Sequence, residues 1–329
     1  MFLVTLIVVC ALAFDFINGF HDTANAIATV VSTRVLSPRA AIFMAAGLNL
    51  LGALCFTKVA ETIAKGLVTG ATLQVILAAI LGAIVWNLAT WYLGIPSSSS
   101  HALVGGLVGA AWIHGGQHTI LWKGVIDKVV LPLVLSPLAG FVIGFGIMAL
   151  ITVFFANAQA AKTGRVFRSL QIVSSAVMSF AHGSNDAQKS MGIIALALTT
   201  LGAHPAAKAA VPIWVKLACA VAMAAGTSMG GWRIIKTMGH KIIRLEPVSG
   251  FAAETTASLI ILYATLTGKT VSTTHVISGS IFGVGSAKRF SAVRWSVAQT
   301  MLIAWTLTIP ASAAVAALCY LTIHLLGVR

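Results

Sequence analysis

Charge is what this sequence has least of: only 9% of its 329 residues are Asp, Glu, Lys or Arg, and just seven are acidic. Soluble domains carry about 25% charged residues, so a large globular core is excluded and no soluble domain is expected at either end. Cysteine is scarce too. Cys10, Cys55, Cys219 and Cys319 stand singly in apolar stretches without C-x-x-C spacing, so they read as small core residues and carry no message about redox compartment. Residues 2–17 lack both a basic leading region and a small-residue cleavage site, which excludes a signal peptide and makes them the first membrane segment. What is abundant is apolar: 58% of the chain is hydrophobic, in recurring runs of roughly 17 to 25 residues, long enough to cross a ~30 Å hydrocarbon layer. The fold class this implies is an all-α polytopic membrane protein.

The net charge of +14 does not imply a nucleic-acid partner, because the basic residues are placed with regard to topology. Twelve of the 21 fall in four clusters: Arg34/Arg39, Lys162/Arg165/Arg168, Arg233/Lys236/Lys241/Arg244 and Lys288/Arg289/Arg294. Basic residues concentrate in cytoplasmic loops. Putting all four clusters inside gives one consistent threading across the cell's inner (plasma) membrane, with the N-terminus outside and external loops at 57–71, 114–123, 203–210 and 268–270. The number of spans stays open, since 120–155 and 295–326 each contain prolines and read equally as one long span or as a hairpin.

The chain contains itself twice. "GFHDTANA" (19–26) aligns with "GSNDAQKS" (183–190), matching Gly19 with Gly183, Asp22 with Asp186 and Asn25 with Lys189. "SSSSHALVGGLVG" (97–109) aligns with "VSTTHVISGSIFG" (271–283) at nearly the same offset. Residues 1–155 and 169–329 are the two copies, and 156–168 is a cytoplasmic linker. The loop after the first hydroxyl motif threads outside and the loop after the second threads inside, which makes the copies inverted-topology repeats. That arrangement is typical of secondary transporters, whose sites lie near the membrane midplane where broken or re-entrant helices of the two halves meet.

Asp15, Asn18, Asp22 and Asn25 form one stripe on a helix, and Ser179, His182, Asp186 and Lys189 repeat it. A break is expected within each stripe at Gly19 and Gly183. An ionisable residue at the membrane centre costs at least ~2.5 kcal/mol, and a duplicated one marks a site. Ser98, Ser99 and Ser100 follow Pro96 and open a helix, as do Ser272, Thr273 and Thr274 in the other half. A helix start offers free N–H groups and a partial positive charge, and hydroxyls add neutral donors, together suited to a tetrahedral oxyanion. The paired Gly105/Gly109 and Gly279/Gly283 are read as helix-packing positions rather than ligand contacts.

Asp22 and Asp186, with Asn18, Asn25 and Asn185, supply the hard oxygen ligands that small cations prefer. An anion importer needs such cations, because each negative charge moved inward costs about 2.3 kcal/mol per 100 mV. Lys189 has two readings, pairing with an aspartate or meeting the anion directly, and the first is favoured. Glu254, a further acid within an apolar run, is assigned a functional role by the same cost argument. Asp127 and Glu246 read as interfacial salt partners of Lys128 and Arg244. His101 and His275 read as orienting the neighbouring hydroxyls or backbone, and His114, His118, His204, His240 and His324 as solvated.

With these motifs in hand, the sequence resembles the PiT family of inorganic phosphate transporters. The duplicated G-x-[NH]-D-x-x-N signature is matched by "NGFHDTANA" and, with lysine for the last asparagine, by "GSNDAQKS"; "PSSSSH" and "VSTTH" match the paired hydroxyl motifs, and "SGFAAE" the stretch bearing an important glutamate. The resemblance spans nearly the whole chain. It implies uptake of inorganic phosphate with Na⁺ or H⁺ as coupling ion and no other cofactor, and a homodimer in the lipid bilayer. It also implies an anion and cation site at Asp22, Asn25, Asp186, Lys189, Ser98, Ser99, Ser100, Ser272, Thr273 and Thr274, with Glu254 as the glutamate. Asn49, in "GLNLLG", stands where some relatives carry a further glutamate, and the chain lacks the large cytoplasmic loop of animal members, as a compact bacterial form would. Relatives that carry sulfate or neutral metal-phosphate complexes keep those substrates open. A serine hydrolase is set aside because no nucleophile elbow is present, and an anion channel is the remaining rival from another class.

Overall fold

The computed structural model describes residues 2–202 and 211–327, so the expected external loop at 203–210, with His204, lies outside the described residues. Those residues form helices α1 (Phe2–Ser32), α2 (Pro38–Cys55), α3 (Lys58–Gly66), α4 (Leu73–Leu93), α5 (Ser99–Gly115), α6 (Trp122–Val125), α7 (Leu131–Phe154), α8 (Ala160–Thr200), α9 (Ile213–Met229), α10 (Trp232–Lys236), α11 (Pro247–Thr267), α12 (Thr273–Lys288) and α13 (Trp295–Leu325). Six helical runs are long and apolar enough to cross a membrane, with a seventh if α9 and the segment Trp232–Lys241, bent by 59° from it, form one span. The region left open on sequence resolves as single long spans. Residues 122–154 run as one rod through a π-helical turn at Ile126–Val130, and α13 is unbroken over 31 residues. Each carries an interior proline, Pro137 and Pro310.

The repeat is visible in the caps and in the packing. Gly94 closes α4 and Gly268 closes α11, both left-handed, at φ 67° and 69°, a conformation glycine adopts without penalty. Ser98 and Ser272 then cap α5 and α12, accepting from the N–H groups of His101 and His275 at 3.3 and 3.2 Å. α1 packs on α9 as α8 packs on α2, α4 on α5 as α11 on α12, and α13 on α5 as α7 on α12. The chain enters α8 at the end where it leaves α1: Arg168 donates to the Arg34 carbonyl at 3.1 Å. The two signature helices therefore run in opposite directions. That end also gathers the four basic clusters, with Thr237 bonded to the Gly94 carbonyl at 3.0 Å and the Arg294 N–H to the Ile242 carbonyl at 3.0 Å. At the opposite end Lys58 reaches the Leu266 carbonyl at 3.0 Å and Thr200 the Ala71 carbonyl at 3.3 Å.

Two expectations are corrected. α1 and α8 do not break at Gly19 and Gly183; both run through as continuous helix. These glycines instead let backbones touch. A Cβ on Gly19 would lie 2.4 Å from the Met223 carbonyl oxygen of α9, and one on Gly183 would lie 2.2 Å from that of Asn49 in α2. From the other side, a Cβ on Gly226 or Gly52 would lie 2.0 or 2.2 Å from the carbonyl oxygen of Phe16 or Phe180. The breaks fall instead between α4 and α5 and between α11 and α12, where each chain turns at its capping glycine and starts a new helix within the protein. The second correction is to Glu246, which pairs with Lys288 rather than Arg244, while Asp127 makes no ion pair among the described residues. Gly105 and Gly109 do serve packing, against Ile309 and Ala313 of α13, and Gly279 and Gly283 do so against Pro137 and Phe141 of α7.

Gly183→Ala should therefore lower the thermal midpoint of detergent-purified protein, by an overpacking cost of about 1–3 kcal/mol. Gly47→Ala, whose Cβ would meet nothing within 4 Å, should leave it unchanged. Equal midpoints for the two variants would contradict this account of the signature glycines.

Candidate functional site: two carboxylates between opposed helix starts

The starts of α5 and α12 face each other inside the protein. The rings of His101 and His275 are 4.9 Å apart, and the Ser100 hydroxyl donates to the Val271 carbonyl at 3.3 Å. α1 and α8, whose glycines allow the close packing described above, lay Asp22 and Asp186 against these starts. Ser99 of α5 donates to Asp22 Oδ2 at 2.8 Å, and Thr273 of α12 donates to Asp186 Oδ2 at 3.1 Å. Thr274 lies 3.5 Å from Asp22 Oδ1. The site is built across the repeats: Asn25 of α1 donates to Thr274 at 2.9 Å and Thr273 at 3.1 Å in the other half. Its Oδ1 remains without a partner among the described residues.

Each carboxylate has a basic neighbour, and the two neighbours differ in kind. His21 Nδ1 is 2.7 Å from Asp22 Oδ1, and its Nε2 is 3.2 Å from the Thr90 hydroxyl of α4. Lys189 Nζ is 2.7 Å from Asp186 Oδ1, and His182 Nε2 is 3.4 Å from Asp186 Oδ2. Asp22, His182 and Asp186 can each place one ligand atom within 4.8 Å of the others, the spacing of a cation site. Asp22, Asp186, Lys189, Ser99, Thr273 and Thr274 are all no more than 2% exposed, so the site is closed toward both ends of the molecule.

Not every expected residue joins this centre. Ser98 and Ser272 have their oxygens engaged as helix caps, so Ser99, Thr273 and Thr274 are the hydroxyls facing the carboxylates. Asn185 turns away and donates to Thr265 of α11 at 3.0 Å, because neighbours along a helix point about 100° apart. Asn18 is buried one turn before Asp22 with no hydrogen bond among the described residues. His101 and His275 make no side-chain bond to the hydroxyl clusters. Their rings face one another, and His275 stacks at 3.9 Å on Trp305, whose indole donates to the Pro96 carbonyl at 3.1 Å. They brace the helix starts from behind by packing, not by orienting hydroxyls. Glu254 sits apart from the pair, accepting from Thr29 of α1 and from Ser174 and Gln171 of α8, the last at 3.4 Å.

Sequence reasoning missed His21, His182 and Asn49 as parts of the site. Asn49 holds His182 (Oδ1 to Nδ1, 3.1 Å) and donates to Thr227 at 3.0 Å. His182 lies in the stripe that the sequence repeats, and that was the available signal; Asn49 was marked only by the glutamate of some relatives at its position, and its partners come from α8 and α9.

Opposed helix starts and two carboxylates in one closed centre suit an oxyanion bound together with cations. Against known proteins, the phosphate transporter family model matches residues 18–164 and again 155–316. The chain belongs to the phosphate transporter family. It is 52% identical, over 99% of its length and 98% of the relative's, to the "Probable low-affinity inorganic phosphate transporter" of Bacillus subtilis (strain 168). It is 49% identical to the protein so named in Rhizobium meliloti (strain 1021), over 98% of this chain and 96% of that one. Among solved structures, "The sodium-dependent phosphate transporter" superposes with a TM-score of 0.89 at 26% identity, covering 99% of this chain and all of that one.

Glu254→Ala should strand three buried donors, at about 1–3 kcal/mol for each group left unpaired. Glu254→Gln, which keeps an accepting oxygen, should cost clearly less. Thermal unfolding in detergent separates the two, and equal losses would mean the donors find other partners.

Proposed function

We propose that this protein imports inorganic phosphate by cation symport, holding the anion between the starts of α5 and α12 and the coupling ion at Asp22 and Asp186. The observation that carries the reading is the convergence of both carboxylates and both hydroxyl clusters, one of each from each repeat, in one closed centre. An enclosed midpoint site reached by mirrored halves is what alternating access requires, whereas a pore requires a continuous path. Names of the relatives support phosphate as the anion, and the sodium-dependent structural relative supports Na⁺ as the ion, with H⁺ as the alternative.

The assigned contacts are Ser99, Thr273, Thr274 and Asn25 for the anion, with Ser98, Ser100 and Ser272 shaping the helix starts. Residues 1–155 and 169–329 act as the two inverted repeats, joined by 156–168 on the cytoplasmic side; within the joint, 160–168 already belong to α8. The basic end faces the cytoplasm across the cell's inner membrane, the N-terminus faces outside, and the protein works as a homodimer, as the family resemblance implies.

In proteoliposomes, labelled phosphate should accumulate when a Na⁺ or H⁺ gradient is imposed, and unlabelled sulfate should compete poorly. Asp22→Asn and Asp186→Asn should each abolish gradient-driven uptake while leaving the protein folded; gradient-dependent uptake at wild-type rate in both would overturn the reading. Replacing Ser98 to Ser100 by alanine should raise the half-saturating phosphate concentration, and an unchanged value would remove those residues from the anion site.

Orientation has its own test. In a Cys55→Ser background, a cysteine at His118 should react with a membrane-impermeant maleimide in intact cells and one at Thr163 only after permeabilisation; the reverse pattern would invert the topology.

A further inference from the structure

The two repeats place their carboxylates alike but surround them differently. In each, one oxygen accepts a hydroxyl from a helix start, Ser99 on Asp22 and Thr273 on Asp186. At Asp186 the other oxygen meets Lys189, three residues on along the same unbroken helix. Three residues after Asp22 the chain instead has Asn25, whose amide is spent on Thr273 and Thr274. Among the described residues Asp22 has only His21 as an ion-pair partner.

We propose that the Lys189 ammonium stands in for one mobile coupling cation at Asp186, so that each cycle moves one cation fewer than the duplicated carboxylates would otherwise bind. This rests on the symport reading above and narrows it, leaving the mobile ion to Asp22 and giving Asp186 the ammonium. Two carboxylates whose oxygens come within 4.8 Å of each other and of His182 repel strongly in a medium of low polarity, and each needs a positive charge to be tolerated. Lys189 is fully buried. A buried ammonium offsets its own desolvation only while it stays paired, so it remains on Asp186 through the cycle instead of turning to the anion. A mobile ion at Asp186 would need several further oxygen ligands, and the second half provides an amine at that position. Asp22, with no lysine or arginine beside it among the described residues, keeps the place for the mobile one.

The test compares wild type with Lys189→Asn, which installs the residue of the first half, in proteoliposomes, reading initial phosphate uptake against the concentration of the driving cation. The order in cation should rise by one: in the sub-saturating range, halving the cation should slow the variant by about twofold more than it slows wild type. An unchanged order would overturn the proposal, and an unchanged order with a raised half-saturating phosphate would place the ammonium on the anion instead. Should Lys189→Asn not fold, Lys189→Gln, a longer neutral amide that leaves Asp186 in place, is read in the same way. A raised order supports the proposal, whereas the wild-type order or no cation-driven uptake overturns it. Absence of cation-driven uptake in wild type itself would instead defeat the symport reading.

Discussion

Two carboxylates a few ångströms apart at the depth of a bilayer are the arrangement on which the rest of this protein depends. Each unpaired charge there costs several kcal/mol, and at effective dielectric values of about 20 their mutual repulsion adds a few more at this separation. Nothing in a lipid-facing helix bundle relieves that. Relief comes from groups that need not be charged, the hydroxyls of Ser99 and Thr273 at the starts of α5 and α12. A helix start can be brought to mid-depth only by breaking the chain inside the protein, and the glycine-capped turns between α4 and α5 and between α11 and α12 accomplish this. The backbone irregularity is confined to a place enclosed by protein, as membrane proteins require.

The same constraint explains why the signature helices are rich in glycine yet unbroken. Asp22 and Asp186 face each other only if α1 and α8 come close together, and each is pressed inward by a backbone contact behind it: Gly19 and Gly226 between α1 and α9, Gly183 and Gly52 between α8 and α2. Small residues at such crossings are the usual means of tight helix association in membranes. Because the carboxylate of one repeat and the amide or hydroxyls of the other are bonded together, neither half owns a complete site.

Much of this was legible in the sequence, for identifiable reasons. Duplication showed in aligned aspartates and hydroxyls, and the enclosure of Asp22 and Asp186 in the cost of placing acids in apolar runs. These are statements about residue type and local period, which sequence records directly. What was misread depended on neighbours distant in the chain. A glycine within a polar stripe looks the same whether it breaks a helix or admits another helix's carbonyl, and only the positions of Met223 and Asn49 decide between them. The partners of Glu254 (Thr29, Gln171 and Ser174) come from two other helices, and no spacing along the chain connects them. Asn185 has suitable chemistry but belongs to a face that rotation about the helix axis turns from the centre, while Asn18 lies on the stripe of Asp22 one turn earlier.

The departures from symmetry are more informative than the symmetry. Counting back from the capping glycines Gly94 and Gly268, Ile80 stands where Glu254 does, and in the aligned signatures Asn25 stands where Lys189 does. Inverted repeats provide two states of mirrored geometry, one open to each side, so the scaffold needs no asymmetry to alternate. Nor can asymmetry set the direction of net movement, which gradients alone determine. A residue present in one half only must therefore act on what is bound and how tightly. In this chain Glu254 and Lys189 are such residues in the second half, and Asp15, aligned with Ser179, is one in the first. The two copies have diverged in the charged groups they bury while keeping the helices that carry them in matching places.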